Sequence, residues 1–134
     1  MRAADTSLVV AAFASWHENH EPARRALDGG LRLIEHCALE TYSVLTRLPP
    51  PHRASPELVR DFLATRFPKP FLRLTGPAYK DFVLGLPERG VAGNSSYDAL
   101  VAATAAACGA DLVTCDHRAF PVYERYGVQA ELLT

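Results

Sequence analysis

The segment from Tyr97 to Asp116, YDALVAATAAACGADLVTCD, restricts the possible folds more than any other part of the chain. Its first half is rich in Ala, as expected for a tightly packed helix, and Gly109 is suited to end that helix. The next residues, ADLVTCD, have the apolar character of a buried strand. A helix that leads directly into a buried strand is half of a βαβ crossover, so the segment indicates an α/β protein.

The same alternation of helical and strand-like segments extends along the whole chain. The other strand candidates are MRAADTS, LRLIEHCAL, PFLRLT and VQAELL. Right-handed crossovers between such strands give a mostly parallel sheet with helices on both faces. The 134 residues suffice for one hydrophobic core. We therefore predict a three-layer α/β/α fold with a central mostly parallel sheet, as a single domain over residues 1–134.

Two of the predicted helices have well-marked ends. The segment LETYSVLTRL predicts a helix that is opened by Glu40 and stopped by the prolines at 49–51, which cannot continue a helix. A later helix begins at Ser55 and Pro56, a capping residue followed by proline at the first helical position. The apolar side chains expected to pack the first of these helices into the core are Leu39, Tyr42, Val44, Leu45 and Leu48.

Charge and cysteine content exclude several classes of protein. The chain has 14 basic and 15 acidic residues, a net charge of −1, so the whole molecule does not attract nucleic acid or membranes. The apolar stretch LVVAAFASW is too short to span a bilayer, and we expect no membrane association. Cys37, Cys108 and Cys115 form no CxxC pair. They indicate free thiols in a reducing cytoplasm rather than a zinc site.

Four acidic residues fall at strand ends or helix starts of this pattern. Asp5 ends the first strand and Asp116 the fourth, Glu40 opens the helix after the second strand, and Asp98 begins the helix before the fourth. In open parallel sheets, sites form beyond the carboxyl ends of the strands. A single acid at such a position is usually a helix cap or a turn residue. Their joint occurrence predicts that all four converge on one rim of the sheet.

Such a cluster of carboxylates implies a cation. Val101, Ala102 and Ala105 share the helix face of Asp98, so we expect that side chain to point towards the sheet. Like charges in one pocket repel and raise the pKa of some of the acids. A divalent ion removes this conflict, and an all-oxygen site suits Mg²⁺ or Mn²⁺ rather than zinc. Such an ion can activate water and neutralise charge on a phosphodiester.

These motifs resemble those of a known family. DTS at 5–7, Glu40 in ALETYSVLTRL, YDALVAATA at 97–105 and TCDHRAF at 114–120 are similar to the motifs of PIN-domain ribonucleases, and most of all to VapC-type toxins of bacterial toxin–antitoxin pairs. The resemblance covers nearly the whole chain. It implies an Mg²⁺-dependent endoribonuclease, in which Mn²⁺ can substitute, that acts on RNA as a homodimer. It also implies inhibition by a small cognate VapB-like antitoxin in a hetero-oligomer.

The resemblance assigns roles to individual residues. The family's acidic quartet, which binds metal and catalyses hydrolysis, corresponds to Asp5, Glu40, Asp98 and Asp116. Thr6 or Ser7 would assist through a hydroxyl or backbone contact. Arg47 and Arg118 lie near the acidic rim in sequence and are candidates to hold RNA phosphates. Ala119 stands where many relatives carry a further acid, which bears on whether a second metal ion binds.

Other functions remain open at this point. A PIN-fold RNA-processing nuclease without an antitoxin fits the same residues, as does a catalytically inactive scaffold that holds RNA or protein. Trp16, Phe13 and Leu27 either face the core or line a groove for an antitoxin helix. Position 7 is Ser, whereas haloacid-dehalogenase-like phosphatases need Asp-x-Asp there, and no Gly-rich phosphate loop is present.

Overall fold

The computed structural model describes residues 1–134 and contains four short strands and seven helices. Their order is β1 (Arg2–Ala4), α1 (Thr6–Phe13), α2 (His20–Asp28), β2 (Arg32–Leu33), α3 (Glu35–Arg47), α4 (Pro56–Arg66), α5 (Gly76–Leu84), α6 (Ser95–Ala107), β3 (Asp111–Thr114), α7 (Phe120–Arg125) and β4 (Ala130–Leu132). None of the helices combines the length and the apolarity needed to cross a lipid bilayer.

The sheet is fully parallel, with the strand order β2-β1-β3-β4. β1 lies inside the sheet, so Ala3 pairs with Arg32 on one side and with Leu112 on the other. Ala3 and Ala4 are fully buried. Ala is a weak strand former, so burial between layers rather than intrinsic propensity holds β1 in place. The predicted α/β fold with a central parallel sheet is confirmed.

Helices cover both faces of this sheet. The connection from β1 to β2 runs towards one edge, whereas those from β2 to β3 and from β3 to β4 run towards the other. Right-handed crossovers therefore place α1 and α2 on one face and α6 and α7 on the opposite face. Each of these two helix pairs packs together. A continuous core of 24 buried residues joins the sheet to its helices, which is the predicted three-layer arrangement.

Two predictions for the region after β2 are wrong, one on the boundary of an element and one on the presence of a strand. Only Arg32–Leu33 of the segment LRLIEHCAL is strand, and α3 begins at Glu35. Glu40 therefore lies in the second turn of α3 and does not open the helix. The segment PFLRLT forms no regular strand and pairs with the sheet only through a bridge between Leu72 and Ile34. Short apolar runs fit a strand or a buried helix equally well, which is why the boundary was misplaced.

The earlier start of α3 also changes which of its side chains are buried. Leu45 is buried as predicted, but Leu39 is 72% exposed and Tyr42 is 38% exposed, so their predicted core positions are wrong. The residues of α3 that do face the core are Cys37, Ala38, Thr41 and Leu45. In α4 the predicted start is confirmed, because Ser55 accepts a hydrogen bond from the Leu58 backbone and Pro56 is the first helical residue.

Candidate active site

A small polar cavity opens beyond the carboxyl ends of β1 and β3, and we call it the acidic cavity. All four acids selected from the sequence line it, and they are Asp5, Glu40, Asp98 and Asp116. The parallel sheet brings the ends of β1 and β3 side by side. The second turn of α3 and the first turn of α6 supply the remaining two acids. The structure thus brings together four carboxylates that lie far apart in sequence; their catalytic role stays a prediction.

Asp5 is the most buried of these acids, with 3% of its surface exposed. It caps α1, and its Oδ1 accepts hydrogen bonds from Ser7 Oγ at 2.6 Å and from the Leu8 backbone at 3.1 Å. Its Oδ2 accepts from Thr114 Oγ1 and, at 2.8 Å, from the Tyr123 hydroxyl. Burial raises the pKa of Asp5, and these four hydrogen bonds oppose that rise. Each oxygen thus has both lone-pair sites occupied by protein donors.

Two hydroxyl groups around Asp5 connect the start of α1 to the end of β3. Ser7 Oγ accepts from the Cys115 backbone at 2.9 Å, and Thr114 Oγ1 accepts from the Asp116 backbone at 3.0 Å. The two hydroxyl oxygens lie 3.2 Å apart. Ser7 therefore donates its proton to Asp5 and holds the neighbouring loop. Its predicted contact with RNA stays a prediction.

Glu40 enters the acidic cavity from the second turn of α3. Thr6 Oγ1 donates a hydrogen bond of 2.5 Å to Glu40 Oε1, so the hydroxyl at position 6 fixes the carboxylate. His36 lies one turn earlier, with its Nε2 3.8 Å from Glu40 Oε2. The Glu40 side chain is 42% exposed, and Oε2 accepts no hydrogen bond from the protein. This oxygen is therefore available to a cation or a water molecule.

Asp98 shows the electrostatic cost of the cluster. It lies in the first turn of α6, half-buried, with the small buried residues Val101, Ala102 and Ala105 following it. Its pKa is raised to about 6, first by burial and then by the negative charges of the other three acids, with Asp116 the largest. Arg118 is close enough to oppose part of this rise. The cavity thus carries more negative charge than its surroundings neutralise.

Asp116 serves both as a turn residue and as part of the cavity wall. Its Oδ1 accepts hydrogen bonds from the Arg118 backbone at 2.9 Å and from the Ala119 backbone at 3.4 Å. This is the local turn that the sequence allowed as the simpler interpretation. Oδ2 accepts no hydrogen bond, so the same side chain keeps one oxygen free at the cavity.

The carboxylate oxygens of the acidic cavity are the type of ligand that binds a divalent ion. No three acidic, histidine or cysteine side chains are grouped so as to hold a metal ion by themselves. Mg²⁺ does not need such a group, because it usually retains several waters and binds through one or two carboxylates. Oxygen atoms that accept no hydrogen bond are present on Glu40, Asp98 and Asp116, whereas those of Asp5 are occupied. A cation here would also relieve the repulsion that raises the pKa of Asp98.

The two predicted RNA-binding arginines lie on different sides of the acidic cavity. Arg47 lines a groove that also contains Glu40, and its guanidinium donates to Ser43 Oγ. Arg118 lines another groove, which shares Asp116 and Glu40 with the cavity. Neither arginine belongs to any of the molecule's ion pairs. Both positive charges are therefore free to meet a phosphate.

Sequence reasoning missed two residues that support the site. Thr114 lies within the motif TCDHRAF, but no role was inferred for its hydroxyl, which holds Asp5. Nothing in the sequence indicates a role for Tyr123, because only the fold, which places its hydroxyl against Asp5, distinguishes it from the other tyrosines. His36 and Cys37, which also line the cavity, were not selected either. Of these four residues, only Thr114 lies within a motif used in the sequence analysis, so only Thr114 could have been found from the sequence.

Comparison with known proteins identifies the family of the chain. The model of the PIN domain family matches residues 3–126. Ribonuclease VapC40 of Mycobacterium tuberculosis is 52% identical over 134 residues, which cover 100% of both chains. Ribonuclease VapC27 of the same organism is 36% identical over 136 aligned positions, covering 94% of this chain and 92% of the relative. The chain therefore belongs to the PIN domain family and is a member of its VapC group.

Proposed function

We propose that this chain is a metal-dependent endoribonuclease that hydrolyses RNA phosphodiester bonds as the toxin of a toxin–antitoxin pair. The convergence of four carboxylates in one cavity, with the pKa of Asp98 raised to about 6, carries the proposal. The names of the relatives, both ribonucleases of the VapC group, support it. Ribonucleases with a PIN domain generally depend on a divalent metal. We infer that Mg²⁺ is the ion and that Mn²⁺ can substitute.

The chain's own residues define what each part of the site would do. Glu40, Asp98 and Asp116 each offer an oxygen that accepts no hydrogen bond. One or two of these carboxylates, together with water, would hold the ion, which would supply an activated water and neutralise charge on the phosphodiester. The Thr6 hydroxyl keeps Glu40 turned towards the cavity. Asp5, whose oxygens already accept four hydrogen bonds, fixes the position of the α1 start and adds negative charge beside the other acids.

The basic residues would position the substrate. Arg47 and Arg118 lie in different grooves beside the acidic cavity, so a strand crossing the cavity can place one phosphate near each guanidinium. Positive charge near the backbone attracts RNA without reading its sequence. We infer that exposed single-stranded segments are the preferred targets, because their backbone can enter a narrow cavity.

The test uses purified protein that is free of any antitoxin. With a structured RNA we expect cleavage in Mg²⁺ or Mn²⁺ and none in EDTA. Asp98→Asn should abolish the cleavage, whereas Asp81→Asn, an equal change of charge on exposed α5, should leave it intact. Equal cleavage with and without chelator would remove the metal-dependent mechanism. No cleavage in any metal would favour an inactive scaffold that binds RNA or protein.

The toxin role and the partners need a test in cells. We infer a homodimer that forms a hetero-oligomer with a small VapB-like antitoxin in the cytoplasm, and the three unpaired cysteines are consistent with a reducing compartment. Expression of the chain alone should arrest bacterial growth, and co-expression of the neighbouring small protein should restore it. Normal growth despite active nuclease would favour an RNA-processing enzyme without an antitoxin.

A further inference from the structure

We propose that Tyr97 and His36 form an aromatic platform at the edge of the acidic cavity, on which one base beside the cleaved bond of a single-stranded RNA stacks. The platform rests on the proposed ribonuclease function and adds to it a subsite for one nucleotide beside the cleaved bond. It also accounts for two aromatic residues that the metal-dependent chemistry does not use.

The geometry of the two rings is that of a stacked pair. Their centroids lie 5.5 Å apart and their planes differ by 3°. Both rings line the acidic cavity together with Glu40, and the same three residues line the adjoining groove. The platform therefore stands at the boundary between the carboxylates and the groove. Tyr97 directly precedes Asp98 in α6, and both residues line the acidic cavity, so the ring lies close to an acid of the site.

The exposure of Tyr97 distinguishes the platform from a core contact. Its surface is 54% exposed, which is high for a large aromatic residue. His36 stacks beside it in an offset arrangement, and we infer that the exposed part of the ring includes the face turned away from His36. The side chain of His36 is only 25% exposed. It packs against the tyrosine ring. A preformed ring with a free face is the surface on which a nucleic-acid base stacks without regard to hydrogen-bond pattern.

The groove beyond the platform adds a positive charge. Arg47 follows Glu40 by two turns of α3, about 10 Å along the helix axis, and lines the groove with Ser43 and Tyr97. Its guanidinium is held by Ser43 Oγ and forms no ion pair. An aromatic ring beside the reacting centre, followed by a free cation, is the combination that tracks a single strand by stacking and phosphate contact. We therefore expect the RNA strand to run along α3 as it leaves the acidic cavity.

Binding to a fluorescent RNA tests the platform directly. The probe is a single-stranded RNA oligonucleotide with 2-aminopurine at successive positions, and every protein carries Asp116→Asn so that the probe stays intact. We expect the fluorescence of one labelled position to be quenched on binding. Tyr97→Leu should abolish the quenching and weaken Kd by about 5- to 150-fold, which corresponds to the loss of one stacked base. Tyr97→Phe and Tyr97→Trp should restore both.

Two further variants separate the platform from general surface effects. Tyr79→Leu, at a tyrosine of similar exposure on α5, should leave the Kd unchanged. His36→Ala should weaken binding less than Tyr97→Leu, since His36 acts through the tyrosine, and His36→Phe should restore it. Cleavage of a randomised single-stranded library by proteins with intact acids gives a second readout. Tyr97→Leu should lose a preference for purines, which stack over a larger area, at one position beside the cut and nowhere else.

The possible results each decide the question. If Tyr97→Leu keeps both the Kd and the base preference of the parent while the parent cuts RNA, the platform is wrong and the nuclease stands. If the parent cuts nothing but Tyr97 still quenches the probe, the platform stands and the nuclease function fails. If Tyr97→Leu changes the mass of the protein in size-exclusion chromatography, the surface is a contact between copies of the chain and the platform is wrong.

Discussion

The hydroxyl group of Tyr123 donates a 2.8 Å hydrogen bond to Oδ2 of Asp5, across 118 positions of sequence. Both residues are buried. The pKa of Tyr123 is raised, first by burial and then by the negative charge of Asp5, so the hydroxyl keeps its proton and remains a donor. Helix α7 thereby fixes the carboxylate that caps α1. The first acid of the site is positioned by the last helix of the chain.

Replacing Tyr123 with Phe should destabilise the protein while preserving its shape. The change leaves Asp5 Oδ2 with Thr114 as its one remaining donor, and loss of a hydrogen bond to a charged group costs about 1.5–3 kcal/mol. We expect the midpoint of urea unfolding to fall with an unchanged slope. Tyr126→Phe is the matched control, because Tyr126 contacts Phe82 and Arg89 through its ring. Equal midpoints for the two variants would show that the Tyr123 hydroxyl contributes nothing.

Replacing Asp98 with Asn should stabilise the metal-free protein and abolish cleavage. The raised pKa of Asp98 means that its surroundings disfavour the charge. Because the side chain is partly exposed, we discount the effect to about 1 kcal/mol, or roughly 3–5 °C in Tm. Added Mg²⁺ should stabilise the variant less than the parent, since the variant binds the ion more weakly. Melting curves in EDTA and in excess Mg²⁺ measure both effects.

The outcome that contradicts this prediction is specific. If Asp98 only caps α6, Asn should replace it without loss, because Asn caps a helix about as well as Asp. The variant would then melt like the parent in both buffers and would still cut RNA. Asp81→Asn, on exposed α5, shows how much any removal of one surface charge changes the melting temperature.

The stability of the metal-free protein should fall as the pH rises from about 4 to about 6. The ordinary pKa of 3.8 applies to Asp98 in the unfolded chain, and the folded value is about 6. The folded state therefore binds more protons in this window, and its advantage is lost as the pH increases. The stabilising effect of Asp98→Asn should accordingly vanish near pH 3.5 and be complete near pH 7. The free energy of unfolding of variant and parent is measured at pH 3.5, 5 and 7. A difference between them that stays constant over these pH values would contradict a raised pKa of Asp98.

Removing either arginine beside the acidic cavity should weaken RNA binding in a salt-dependent way. For Arg47→Gln and for Arg118→Gln we expect the slope of log K against log salt concentration to decrease by about 0.7, the value for one phosphate contact to a single strand. Arg60→Gln is the control, since Arg60 is paired with Asp61 on α4. A slope that does not change shows that the guanidinium makes no phosphate contact.

Local sequence patterns were sufficient for the parallel sheet and for the convergence of the acids. Asp5 and Asp116 directly follow short buried segments, and the rule that parallel strands share a carboxyl edge places them together. Asp98 was expected to point inward from the small residues on its helix face, and it lines the cavity. These features depend on residues a few positions apart, where periodicity is informative.

Features that depend on distant contacts could not be predicted in this way. Nothing in the sequence near Tyr123 indicates that its hydroxyl meets Asp5, because the two residues are 118 positions apart and meet only when the fold places α7 beside the start of α1. The sequence pattern predicts that α3 starts at Glu40, whereas the helix begins at Glu35, because a short apolar run fits either type of structure. The wrong prediction that Leu39 packs into the core has the same cause.

The central position of β1 delays assembly of the site during synthesis of the protein. β1 is made first, yet one of its two neighbours is β3, near the other end of the chain. At about 5–20 residues per second, roughly 6–24 s pass between the synthesis of Asp5 and that of Tyr123. A nascent chain in that interval lacks Asp98, Asp116 or at least one of the Thr114 and Tyr123 hydroxyl groups that hold Asp5. The ribosome and the messenger RNA that produce this proposed ribonuclease are therefore in contact with a fragment whose acidic cavity is incomplete until most of the chain has been made.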